Sequence, residues 1–150
     1  GGMQGQVSVT STICHRNDLA YAFSKMGHLK ECYLPQTLTA IGEHMFSGTP
    51  IAKVGMPSAP TYIGDYAFEN KNSWYDSHGS LGEIDIPASV RSIGSNAFIG
   101  QPIKSVDVSH VTSFGEGCFN LTYIQSIQLN DQVESFVWLS GLTALWDFTS

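Results

Sequence analysis

The chain has 150 residues, a net charge of −6 and only 7 Lys and Arg. So few cations argue against nucleic acid and against an anionic membrane surface as partners, and no apolar run approaches the roughly 18 residues of a membrane-spanning helix. Charged residues are 13% of the chain, against about 25% in an average soluble domain, so Ser, Thr, Gly and Asn carry the surface of what reads as one domain with its own core.

Gly1-Gly2-Met3 reads as an expression remnant, and residues 1–5 as disordered; the lack of a signal segment therefore says nothing about export. Gln6 to Ile13 alternates, with Val7 and Val9 on one side, and predicts an edge strand. Asn17 to Met26 reads as a short helix. Asn17 or Asp18 caps it, Leu19, Ala22, Phe23 and Met26 make its apolar stripe, and Gly27 ends it. Residues 6–28 are thus assigned as an N-terminal cap. A degenerate repeat is the other reading, because Ala22-Phe23 echoes a pair found further on.

From Leu29 the chain repeats. The clearest unit is Leu81 to Pro102: Leu81-x-x-Ile84-x-Ile86-Pro87, then Val90, Ile93-Gly94 and Ala97-Phe98. Leu29-x-x-Cys32-x-Leu34-Pro35 leads to Leu38, Ile41-Gly42 and Met45-Phe46 in the same phase. Ile51-x-x-Val54-x-Met56-Pro57 leads to Pro60, Ile63-Gly64 and Ala67-Phe68. Ile103-x-x-Val106-x-Val108 leads to Val111, Phe114-Gly115 and Cys118-Phe119, with Ser109 where the others have proline. Ile124-x-x-Ile127-x-Leu129 leads to Val133 and Phe136 and then loses the pattern. The unit starts lie 22, 30, 22 and 21 residues apart. A period near 22 headed by L-x-x-L-x-L is the signature of a leucine-rich repeat solenoid.

The ending P-x-x-[LV]-x-x-I-G-x-x-A-F is more specific than that. It resembles the BspA-like family, the Treponema pallidum-type leucine-rich repeats of bacterial cell-surface proteins, over about Leu29 to Phe136. The resemblance implies a secreted or cell-surface bacterial protein that binds a host or neighbouring-cell protein, often as an adhesin; it does not imply catalysis, and no cofactor is expected.

The expected fold is an α/β right-handed superhelix. Short parallel strands form its concave face, and loops and short helical turns its convex face. Proline after the strand has no N–H and ends the ladder. Gly42, Gly64, Gly94 and Gly115 are expected to supply a positive φ or a tight backbone approach. Phe46, Phe68, Phe98 and Phe119 are expected to stack as an internal spine. Cys32 and Cys118 fall at core positions of units one and four, roughly 14 Å apart at about 4.8 Å per rung, too far for a disulfide. Both read as small buried hydrophobes.

The side chains between the core positions face the open side of the sheet. Glu31, Tyr33, Lys53, Glu83, Asp85 and Asp107 make a mildly acidic strip there, the first candidate binding surface. The second is the excess of unit two, residues 69–80, a polar loop in which Trp74 and Tyr75 offer an aromatic platform for a protein or a sugar ring. Residues 137–150 are dense in Trp138, Leu142, Leu145, Trp146 and Phe148. They read as a C-terminal cap, as a degenerate repeat with Leu142-x-x-Leu145 opening a sixth strand, or as a surface that docks another chain. Glu83, Asp85 and Asp107 are too spread for a Ca²⁺ loop. Cys14-His15 points to opposite faces of a strand and makes no dyad. The sequence reads as a non-catalytic protein-binding module. Carbohydrate binding through Trp74 and Tyr75 and a structural role through the apolar C-terminal end are the alternatives.

Overall fold

The computed structural model describes residues 20–70 and 81–133, with the backbone of two short strands, Gln6–Ser8 and Asp147–Thr149. Each repeat is one coil of a parallel-strand β-solenoid. The apolar alternation at the head of the repeat gives a first row of strands: β1 (Gln6–Ser8), β2 (Glu31–Tyr33), β4 (Lys53–Gly55), β7 (Ser105–Val108), β9 (Ser126–Leu129) and β10 (Asp147–Thr149). The Ile-Gly region gives a second row: β3 (Ala40–Ile41), β5 (Tyr62–Ile63), β6 (Ser92–Ile93) and β8 (Ser113–Phe114). We call these rows the head sheet and the flank sheet.

Register follows the repeat. Cys32 pairs with Val54, and Val106 with Ile127. In the flank sheet Ile41, Ile63, Ile93 and Phe114 form one continuous row. The alternation of burial along Ser105–Val108, exposed then buried, is the expected one. The N-terminal strand is a full parallel rung, with Val7 opposite Cys32. At the other end Phe148 lies opposite Ile127, so the last strand runs three residues later than the Leu142-x-x-Leu145 spacing suggests.

The outer layer differs from expectation. Among the described residues there is no helix. The flank sheet and successive turns stand where short helical turns were expected, and residues 20–25 of the expected cap helix form turns as well. The reason is a column of left-handed residues two places before the spine phenylalanines. Tyr21, His44, Tyr66, Asn96 and Gly117 have φ between 53° and 70°, which no α-helix tolerates. The glycines that recur in the repeats play a different part. Gly64 and Gly94 have no positive φ. A Cβ on Gly64 would lie 2.7 Å from the Glu43 amide nitrogen, and one on Gly94 2.5 Å from that of Asp65. Glycine is there because adjacent coils touch backbone to backbone.

Inside, the expected spine is present and one ring longer. Phe23, Phe46, Phe68, Phe98 and Phe119 stack with centroids 5.4, 5.2, 5.1 and 5.5 Å apart. Backbone bonds run alongside, such as Phe46 N–H to Ala67 O at 2.8 Å and Phe68 N–H to Ala97 O at 2.7 Å. Phe23 belongs to this column, which is why Ala22-Phe23 echoes the pair in later repeats. Cys32 and Cys118 are buried free thiols, and burial pushes them up to about 11 and about 12, so neither is a nucleophile at neutral pH.

Candidate binding groove on the head sheet

The head sheet is broken at the third repeat. It divides into β1–β2–β4 and β10–β9–β7, each with an edge facing residues 81–87. Gly82 to Ile86 make no backbone hydrogen bond to another described residue. The break falls directly after the insertion of unit two in the chain. Elsewhere, a rung begins with a bond from the residue after the head, Ala52 N–H to Lys30 O or Gln125 N–H to Lys104 O, both 2.8 Å. At the third rung the corresponding Gly82 N–H makes no such bond to a described residue, and the Leu81 N–H before it is held by Gln101 Oε1 at 3.3 Å.

Gln101 is fully buried, and its Nε2 also donates to Phe68 O at 2.6 Å. In units one and four a threonine three residues after the phenylalanine does this work locally: Thr49 to Phe46 O at 2.8 Å and Thr122 to Phe119 O at 2.7 Å. Asn70, at the other end of the insertion, donates to Gly100 O at 2.9 Å. Sequence reading missed both amides. The available signal was two uncharged polar residues in register with buried threonine and glycine of neighbouring units.

A groove of about 1000 Å³ opens at the break. Lys53, Glu83, Asp85, Asp107, Ser126 and Gln128 line it on the polar side. Val54, Met56, Ile84 and Ile86 form its apolar part and are only half-buried. Their equivalents on neighbouring rungs are covered: Cys32 is 0% exposed, Leu34 4%, Val108 1% and Ile127 0%. The structure therefore brings four of the six strip residues together. Glu31 and Tyr33 lie one rung away, outside the lining. Tyr33 donates to Glu31 Oε2 at 3.3 Å, and its ring lies across Gly55, where a Cβ would meet it at 2.6 Å. The Lys53 ammonium sits 5.9 Å from that ring's centre. Trp74 and Tyr75 lie outside the described residues.

The acids are not equivalent. Glu83 and Asp85 are exposed and make no side-chain hydrogen bond to another described residue. Asp107 is tied to its own turn. It accepts from Ser109 Oγ at 2.6 Å and Ser109 N–H at 3.0 Å, and these two bonds hold its carboxyl below the usual carboxylate value. Among the described residues no helix is long and apolar enough to cross a membrane, and no three His, Cys, Asp or Glu side chains converge as a metal site.

A family model described as the BspA type leucine-rich repeat region matches in six copies, over residues 10–75 and 70–138. Among curated proteins none matches the sequence significantly. Three solved structures share the fold. A leucine-rich repeat protein of T. pallidum is 23% identical, with a TM-score of 0.76 over 95% of this chain. One from Bacteroides ovatus is 24% identical, with a TM-score of 0.69 over 95%. One from Eubacterium ventriosum is 17% identical, with a TM-score of 0.64 over 85%. The chain spans 62%, 34% and 32% of the length of those proteins.

Proposed function

The chain belongs to the BspA-type leucine-rich repeat family, and from that premise we propose that it is a non-catalytic protein-binding module whose docking surface is the groove on the head sheet. Leucine-rich repeat modules bind proteins in general, and solenoids offer extended sheet faces for it. The observation that carries the choice of surface is the groove itself. Its about 1000 Å³ gathers Lys53, Glu83, Asp85 and Asp107 around half-buried Val54, Met56, Ile84 and Ile86. Core side chains left partly open beside charged groups are what a docking site needs: an apolar centre for affinity and a charged rim for choice of partner. The setting proposed is a bacterial cell surface or its surroundings, with a host or neighbouring-cell protein as partner and an adhesive role. That part of the proposal is supported by the family.

The test is capture of extracellular proteins by the purified chain, beside a Glu83→Lys/Asp85→Lys double variant of equal thermal stability. The expected result is a partner held by the first and lost from the second. A partner held equally by both moves the docking surface off this sheet.

A further inference from the structure

The break in the head sheet leaves an unusual chemical surface. Backbone N–H and C=O groups are nearly always paired when they lie within a sheet, yet here three adjacent rungs each present an unpaired side. β4 and β7 are edge strands that face the third rung. Gly82 to Ile86, between them, make no backbone hydrogen bond to another described residue. Open volume lies beside this rung: the groove of about 1000 Å³ is lined by Glu83 to Pro87, and a Cβ at Gly82 would meet nothing within 4 Å. Open strand edges are templates for another extended chain.

The side chains at the same place add a choice of sequence. Glu83, Asp85 and Asp107 face the groove against Lys53, the one cation among its described lining residues, and the first two are uncommitted to any described partner. Val54, Met56, Ile84 and Ile86 lie half-open beside them. An extended chain sends alternate side chains to opposite sides. One that alternates basic and apolar residues would set its cations against the acids and its apolar groups against that floor.

We propose that the third rung receives an extended basic–apolar segment of a protein partner, which pairs its backbone with the open edges beside Gly82 to Ile86. The proposal deepens the protein-binding reading and rests on it.

The probe is a fluorescent octapeptide of alternating lysine and valine, with blocked ends, followed by anisotropy. Two relatives serve as controls: one with glutamate for lysine, and one with the lysine–valine sequence N-methylated at alternate residues, which keeps charge and side chains but removes backbone donors. Backbone pairing requires the first peptide to bind at least about tenfold tighter than either control. Hydrogen exchange by NMR gives the second readout. In the free chain the amides of 82–86 are expected to exchange about a hundredfold faster than those of Val106 and Ile127, and to slow about tenfold when the peptide saturates.

Equal binding by the N-methylated peptide overturns the proposal, because charge alone then suffices. So does protection of 82–86 in the free chain, whether by residues 71–80 or by a second copy. Failure of the lysine–valine peptide to bind overturns it too. If capture of a protein partner is still abolished by Glu83→Lys/Asp85→Lys in that case, the groove remains the docking surface and only strand pairing is lost.

Discussion

The third repeat is whole on one side of the coil and open on the other. In the flank sheet, Tyr62 pairs with Ser92 and Ile63 with Ile93 across a step of 30 residues, as evenly as elsewhere. The spine crosses the same point with its tightest spacing, 5.1 Å between Phe68 and Phe98 and 3° between the ring planes. The head sheet stops there. The eight residues beyond the usual period thus leave the flank sheet and the spine in register, while the head sheet is split at the same repeat. The difference shows where the fold is specified. Glycine contacts, the aromatic stack and buried amides fix the distance between coils, so the head strands are free to part without loss of the solenoid. In a repeat protein, where each unit touches only its neighbours, such a division lets one surface vary while the other keeps the stack in register.

If the closed side carries the stability, breaking it should far outweigh any change on the open side. Phe98 is fully buried between two rings. Phe98→Ala removes its burial and leaves a cavity, at a cost of about 3–5 kcal/mol. For a chain of this size that is a fall in melting temperature on the order of 10 °C. Glu83→Ala, on the open rung, is expected to stay within about 0.5 kcal/mol of wild type. Calorimetry on the two variants decides the point; comparable melting temperatures would mean the spine does not hold the coils.

A middle-sized effect should come from the seam between the two sides. Gln101 satisfies the Phe68 carbonyl and the Leu81 N–H at once. Gln101→Ala leaves both buried groups without a partner, at a cost of roughly 1–3 kcal/mol. Gln101→Thr restores the residue that unit one uses, but its hydroxyl would bond its own Phe98 carbonyl, as Thr49 bonds that of Phe46. The expected order of stability is therefore wild type, then threonine close to alanine. Chemical denaturation measures it, and a threonine variant as stable as wild type would deny the cross-coil staple.

The same division separates what the sequence discloses from what it hides. The period, the strands at 31–33, 53–55, 105–108 and 126–129, and the phenylalanine spine follow from local spacing, because identical neighbours impose identical geometry. The flank strands are two residues long and lie in the Ile-Gly turn, too short to show an alternation. Leu19, Ala22, Phe23 and Met26 fit a helical stripe, yet Phe23 stacks on Phe46 and the neighbouring φ values are left-handed; the tertiary column overrides the local period. Most instructive is Leu81-x-x-Ile84-x-Ile86-Pro87. It is the cleanest strand signature in the chain and the one head segment left unpaired among the described residues. Pairing depends on how a segment is delivered to its neighbours, and the segment here follows the insertion and is held at Leu81 by Gln101, neither of which alters the motif. Of the candidate site, the acidic strip was legible residue by residue; the groove that selects Lys53, Glu83, Asp85 and Asp107 from it was not, since it exists only because the rung is open.

The smallest expected effect compares the acids on either side of the break. Glu83 and Asp85, on the open rung, have no side-chain bond to another described residue, whereas Asp107, on paired β7, accepts from Ser109 twice. The Ser109 hydroxyl is the larger influence and its amide the next, and together they lower the Asp107 carboxyl from 3.8. A carboxyl depressed in the folded state stabilises the protein fully above its unfolded value, and that stabilisation is lost as pH falls through the folded value. Ser109→Ala deletes the hydroxyl and keeps the amide, so Asp107 should titrate part of the way back toward 3.8 while the acid limb of stability below pH about 4 loses part of its slope. Exposure to solvent keeps the change in stability small, so the titration of the Asp107 carboxyl by NMR is the sharper readout. Coincident titration curves for wild type and Ser109→Ala would mean that the turn after β7 does not hold this acid. Asp107 would then be as free as Glu83 and Asp85 to meet a partner's cation, and the three would act as one acidic row across the open rung.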